Sequence, residues 1–288
     1  MNSHTVDLAG AVHYVDFGGP AAGPVVVYVH GLGGSHLNWT RLAPLLGDQV
    51  RGYALDLAGF GLTEPHGRRT SVGANAELLL RFLDEVVREP VVLVGNSMGG
   101  MVSILAAAHD PAKVRALALV DPTLPLAEGA RVDPVVRRQF TVHAIPGLGE
   151  WSLRRRLARV PVKDRVGHVL ALCFSDLSRI PPEIVTAGIA LEERRATQPR
   201  RAESYLEAAR SILRGVGRSE HRRRMAELTQ PVLLIHGVHD RLVPIESARA
   251  TSAAHPQWHY VELNAGHTPQ IEVPEQVADE IRPWLARL

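Results

Sequence analysis

The chain has 288 residues, 45% of them hydrophobic and 22% charged, with a formal net charge of +2. That is the composition of a soluble globular protein with room for a large α/β domain and an insertion. No apolar run approaches the roughly 18 residues of a membrane span, the opening MNSHTVDLAG lacks the basic and apolar regions of a secretory signal, and the single cysteine, Cys173, excludes an internal disulfide. A cytoplasmic protein is expected, with Cys173 a small buried hydrophobe.

Strand and helix patterns then alternate along the chain. Val12 to Phe17 alternates in strand fashion, and Val25 to Val29 reads as a buried strand after Pro24. A short helix over Trp39 to Leu46 precedes a strand from Val50 to Leu55. Ala74 to Val87 has helical spacing at Leu78, Leu79, Phe82 and Val86. Val91 to Val94 forms a strand, Met98 to Ala108 a buried helix and Ala116 to Val120 another strand. Two late strands, Val232 to His236 and His259 to Leu263, precede a final helix over Pro274 to Leu288. This order predicts a mostly parallel sheet with helices on both faces.

Residues 123–224 interrupt the alternation with Pro-punctuated, Arg-rich helical stretches. Within them, residues 131–224 hold 20 of the 32 Lys and Arg but 10 of the 30 Asp and Glu, a local balance of +10 against −8 elsewhere. This break divides the chain into a core, 1–122 and 225–288, and a helical insertion, 123–224. Runs such as Arg154-Arg155-Arg156 and Arg222-Arg223-Arg224 read first as solvated helix faces. Nucleic acid is not expected as a partner, and peripheral contact with an anionic membrane is a secondary reading.

The chemistry is carried by VVLVGNSMGGMVSILAAAHDP, residues 91 to 111. Gly-x-Ser-x-Gly arises by chance in about one chain in ten of this length, but here a buried strand precedes it and a small-residue helix follows. In such an elbow the serine is strained and exposed, and its neighbours must be small. Ser97 is therefore the candidate nucleophile. It needs a base, and the order serine, acid, histidine is met downstream. Asp240 follows the strand PVLLIHG, and His267 follows the next strand, in NAGHTPQIEVPEQ. Parallel strands end on one side, so all three belong to one sheet edge. His267 is read as general base and Asp240 as its orienting acid. The loop Gly31-Leu32-Gly33-Gly34 follows VVVYVH and supplies a backbone N–H from Leu32, which with that of Met98 forms an oxyanion hole. HGLGGS lacks a phosphate-loop pattern, and His30 is read as shaping it. His236 and His239 flank Asp240, but no zinc motif accompanies them, so neither metal nor cofactor is expected.

HGLGG, DLAGFGLTEP, GNSMGG, HGVHDRLVP and NAGHTPQIEVPE together resemble α/β-hydrolase fold enzymes over nearly the whole length. The resemblance implies that residues 123–224 are a helical cap over the active site. It makes Asp56, Gly59 and Gly61 a structural loop. A serine nucleophile sets the chain apart from the haloalkane dehalogenase and epoxide hydrolase branches, which use Asp. GNSMGG is also similar to the meta-cleavage product hydrolases, which break C–C bonds. Those usually carry HGGGPG and a Trp after the catalytic His, where this chain has HGLGG and Thr268. Some members take their acid from the position of Asp121, which here precedes Pro122 and is read as opening the turn into the cap. The expected activity is cleavage of a small apolar carboxylic ester through an acyl-enzyme. The alternatives are a C–C hydrolase and a slow-turnover ligand receptor on the same fold.

Overall fold

The computed structural model describes residues 1–217 and 219–288. Its strands are β1 (Asn2–Asp7), β2 (Ala11–Gly18), β3 (Val25–Val29), β4 (Arg51–Leu55), β5 (Val91–Asn96), β6 (Val114–Val120), β7 (Val232–Gly237) and β8 (His259–Leu263). They form one 8-stranded sheet in the order β1-β2-β4-β3-β5-β6-β7-β8. β2 pairs antiparallel with both β1 and β4, and every pair from β4 to β8 is parallel.

Side chains alternate across the sheet with the period of a strand. Val25, Val27 and Val29 of β3, with Val91 and Leu93 of β5, face one apolar layer. Val26, Tyr28, Val92 and Val94 face the other. On the first face lie α2 (Val72–Phe82) and α3 (Met98–His109), with Leu79, Phe82 and Val102 buried. The second face is covered by α1 (Leu42–Leu46) and, at the end of the chain, the helix containing Val277, Ile281 and Trp284. Both faces are shielded, which is why the central strands are almost continuously apolar.

Between β6 and β7 the described residues form α4 (Pro134–Ala144), α5 (Leu148–Arg159), α6 (Val162–Cys173), α7 (Pro182–Arg194), α8 (Arg201–Val216) and α9 (Ser219–Ala226), and no strand. α8 is seated on the sheet side. Ala208 and Ile212 join the first apolar layer, and Ser211 Oγ accepts from Val72 N at 2.9 Å. Glu207 accepts from Arg69 Nε at 2.9 Å and from Thr70 N at 3.1 Å. The remaining helices are α10 (Ile245–Ala254), α11 (Pro269–Glu272) and α12 (Pro274–Leu285).

Local chemistry explains where boundaries depart from the sequence reading. The second helix starts early, at Val72, because Ser71 caps it by accepting from Ala74 N. Its end widens into a π-type turn over Leu83–Val87, closed by Arg88 at φ 63°. The stretch expected as one helix from Trp39 divides into a 3-10 turn, His36–Trp39, capped by Ser35, followed by α1. Strand β1 was not anticipated: NSHTVD is exposed at nearly every position and lacks an apolar alternation, as an edge strand can.

Candidate active site

Around β3 the strand order reverses, β4 lying on one side and β5 on the other, which opens a crevice at the carboxyl edge of the sheet. Ser97 stands there, between β5 and α3, with φ 55° and ψ −120°. For a non-glycine residue that backbone costs on the order of 1–3 kcal/mol, and the surroundings hold it in place. Ser97 N donates to Asp121 O at 3.1 Å, while Ser97 O accepts from Gly100 N and Thr123 N, both at 3.0 Å. A Cβ on Gly95 would lie 2.7 Å from Gly99 O, and one on Gly99 would collide with the carbonyls of Val29 and His30. The glycines flanking the serine are thus required by contact.

Asp240 follows β7 and His267 follows β8. Asp240 Oδ1 accepts from Leu242 N at 2.7 Å and Val243 N at 3.0 Å, fixing its own turn. Its Oδ2 accepts from His267 Nδ1 at 2.7 Å. Burial works to raise the Asp240 carboxyl, but the charge and hydrogen bond of His267, with His236 beyond, outweigh it and hold the group below the usual carboxylate range. The His267 backbone is tied on both sides: its N donates to Cys173 O at 2.6 Å, and its carbonyl accepts from Asn96 Nδ2 at 3.1 Å.

Asp121 takes a different position from that expected of a turn-opening residue. It has φ 44°, and its Oδ1 accepts from Gly237 N across the sheet at 2.8 Å. Its Oδ2 is buried without a partner among the described residues. Burial first, and then the charge of Asp240, push it well above the ordinary aspartate value. The structure pairs His267 with Asp240.

Upstream, a Cβ on Gly31 would come within 3.0 Å of Ser97 Cβ, so the HGLGG loop lies directly against the elbow. His30 shapes this loop: Nδ1 donates to Gly31 O at 2.7 Å and Nε2 accepts from Leu57 N at 3.0 Å. Burial pulls it down to about 4, which keeps the ring neutral. Met98 is the first residue of α3, and such an N–H has no acceptor within its own helix. Leu32 follows Gly31 in the loop, whose turn is closed by Gly34 N donating to Gly31 O. Tyr205 of α8 covers the loop, its ring 3.4 Å from where a Cβ on Gly33 would be.

Two groups of potential metal-ligating atoms converge, Asp121–Asp240–His267 and His13–His36–Asp56. In the second, Asp56 accepts from His13 Nδ1 at 2.8 Å, His36 Nδ1 at 3.0 Å and Leu62 N at 2.8 Å, a hydrogen-bonded hub of the DLAGFG loop. His236 and His239 do not converge: His236 Nε2 donates to Val243 O at 2.9 Å, whereas exposed His239 meets Asn264 Oδ1 at 3.0 Å. Cys173 lies near the aspartate pair, and burial, then their charges, push its thiol up to about 12.

Asn96 and Glu272 escaped the sequence reading. Asn96 precedes the serine and reads in the sequence only as part of the turn. Glu272 lies in NAGHTPQIEVPE between Ile271 and Val273, where a buried carboxylate in an apolar turn is the available signal.

A family model described as alpha/beta hydrolase fold matches residues 24–274, and the chain belongs to that family. It is 26% identical over 279 residues to the dihydrolipoyllysine-residue acetyltransferase component of an acetoin cleaving system from Pseudomonas putida, covering 96% of this chain and 67% of that one. Two further curated relatives are spanned over only 63% and 44% of their lengths. A 2-hydroxy-6-oxo-2,4-heptadienoate hydrolase from Pseudomonas putida is 28% identical, with 87% of this chain and 85% of that one covered. Among solved structures, Cfl2 from Burkholderia cenocepacia superimposes with a TM-score of 0.82 at 23% identity, over 99% of this chain and 95% of that one. No helix of the described residues is long and apolar enough to cross a membrane.

Proposed function

We propose that the protein is a serine hydrolase that cleaves a carboxylic ester through an acyl-enzyme. The observation carrying this reading is the 2.7 Å bond from His267 Nδ1 to buried Asp240, on the sheet edge where Ser97 is held at φ 55°. In this reading Ser97 Oγ attacks the ester carbonyl carbon while His267 Nε2 takes its proton. The N–H groups of Leu32 and Met98 receive the oxyanion. His267 returns the proton to the leaving alkoxide, and water repeats the sequence on the acyl-serine. Asp240 stays ionised, keeps the imidazole proton on Nδ1 and stabilises the imidazolium.

Residues 123–224 act as the cap over this edge, with 1–122 and 225–288 as the core, and Tyr205, lying against the HGLGG loop, contributes apolar wall for a small ester. The similarity to a dienoate hydrolase favours, as a second reading, C–C cleavage of a vinylogous diketone at the same centre. Steady-state turnover of p-nitrophenyl esters of graded chain length separates the two. Rapid ester turnover supports the first reading, and rapid loss of a coloured dienolate with poor ester turnover supports the second. Tight binding of either without turnover replaces both with a receptor. A fluorophosphonate is expected to label Ser97, and Ser97→Ala to lose labelling and several orders of magnitude in kcat while staying folded. Labelling that persists in Ser97→Ala refutes the nucleophile.

A further inference from the structure

Glu272 is a charged side chain with 0% exposure, remote from the acyl-transfer steps, and its carboxylate joins two segments. Oε1 accepts from Ser175 Oγ at 2.5 Å and Asp176 N at 3.1 Å. Oε2 accepts from Ser175 N at 3.1 Å and from Gly266 N, one residue before His267, at 2.8 Å. The same two segments meet again where His267 N donates to Cys173 O at 2.6 Å. A Cβ on Gly266 would collide with that carbonyl and lie 2.7 Å from Ser175 N. Arg179 Nη1 donates to Asn264 O at 3.0 Å, and Phe174, Ile184 and Ile271 pack as a separate apolar cluster beneath.

We propose that Glu272 is a positioning residue for the general base: it clamps the Ser175–Asp176 loop of the cap onto the histidine loop, so that the imidazole is placed only when the cap is seated. The inference rests on reading Ser97, His267 and Asp240 as the hydrolytic centre. Lifting residues 173–176 strips the His267 amide of its acceptor and takes the Ser175 and Asp176 donors from a buried carboxylate, leaving it Gly266 N alone. A state with several such groups orphaned is expensive, so the two loops move as one. The imidazole lies at the far end of this joint, with Asp240 bonded to it and Asp121, His236 and Cys173 nearby. Glu272 itself faces Arg179 at 3.7 Å and adds its charge to those raising Asp121.

The test compares Glu272→Gln, Glu272→Asp and Ser175→Ala with the wild type, each first checked for fold by near-UV circular dichroism. Gln presents an N–H₂ where the clamp needs an acceptor. Glu272→Gln is therefore expected to lose about 10²-fold in kcat on a p-nitrophenyl ester, the scale of a displaced catalytic group, with KM changed far less. The acid limb of kcat/KM moves to lower pH as the imidazolium loses part of its hold on Asp240. The downfield Nδ1 proton resonance of His267 weakens. Glu272→Asp keeps the charge and recovers part of each effect. Ser175→Ala changes no charge and shifts each in the same direction by less, which separates positioning from electrostatics and carries the test if Glu272→Gln fails to fold. Wild-type kcat, acid limb and proton resonance in folded Glu272→Gln, or a change in KM alone, overturn the proposal. A wild type that neither turns over esters nor labels at Ser97 overturns the hydrolase reading instead, and the proton resonance still decides the clamp.

Discussion

Asn96 Nδ2 donates to the carbonyl oxygen of His267 at 3.1 Å and to that of Val120 at 2.9 Å. One amide on the last residue of β5 thereby joins three strand ends: its own, that of β6, and the loop that leaves β8. The residue preceding the proposed nucleophile thus holds the backbone of the proposed base. With Cys173 O on the other side of the same histidine, the His267 peptide groups are held at once from the sheet and from the helical segment between β6 and β7.

Replacing Asn96 by Ala removes both bonds: Val120 O keeps its longer one from Ser97 N at 3.3 Å, while the buried His267 carbonyl loses Asn96 Nδ2, at about 1–3 kcal/mol for an orphaned group. Asn96→Ala is expected to lower stability in denaturant titration by that order. It should also cost kcat beyond what the unfolded fraction explains, because the histidine loop loses its core-side tether. Asn96→Asp is expected to be worse, since it sets an acceptor against two acceptors. Equal kcat in a folded Asn96→Ala protein refutes the tether.

The central strands and the elbow were legible because their signals are local. Val25 to Val29 and Val91 to Val94 are apolar runs that only a doubly covered sheet explains, and Gly95, Ser97 and Gly99 fall at the spacing of a tight turn. Family α/β-hydrolase membership follows from the same stretches. Strand β1 was illegible because an exposed edge needs no apolar period. The roles of Asn96 and Glu272 were hidden for a different reason. Each depends on partners 171 residues away for Asn96 and 97 away for Ser175 and Glu272, and spacing along the chain carries no trace of such pairs. Asp121 shows the limit of a local reading. Asp-Pro predicts a turn that the side chain caps, yet the carboxyl reaches across to Gly237 instead.

The Asp56 hub predicts acid sensitivity. Burial alone would raise this carboxyl, but its bonds to His13 and His36 and the charge of His36 depress it below the unfolded value of 3.8. A depressed acid contributes stability that is complete above the unfolded value and drains away as pH falls from there toward the folded one. Asp56→Asn is expected to lose on the order of 3 kcal/mol at neutral pH, with the gap to wild type closing below about pH 4. Melting curves across pH measure this. A gap that stays constant down to pH 3 would show that Asp56 acts through shape and not through charge.

The last prediction separates the two aspartates behind the histidine. Asp240→Asn keeps the volume but offers an amide where the Nδ1–H of His267 needs an acceptor, favouring the wrong tautomer at a cost of up to about 10⁴ in kcat. Asp121→Asn has the opposite logic. Burial first and the Asp240 charge second raise Asp121 well above the ordinary aspartate value and favour its neutral form, which an amide mimics while keeping the acceptor for Gly237 N. Its kcat is expected to stay within about tenfold of wild type, well short of the loss in Asp240→Asn. The stability consequence has a definite sign. An acid whose folded pKa is raised favours the folded state fully below the unfolded value of 3.8, and this advantage is lost as pH rises through the raised one. Asparagine has no proton to lose. Melting temperatures of Asp121→Asn should therefore gain on wild type as pH climbs from about 4, then run parallel once the raised value is passed. Curves parallel throughout mean that Asp121 is ionised in the fold, and a collapse of kcat in Asp121→Asn with Asp240→Asn unaffected means that Asp121 is the acid that supports His267.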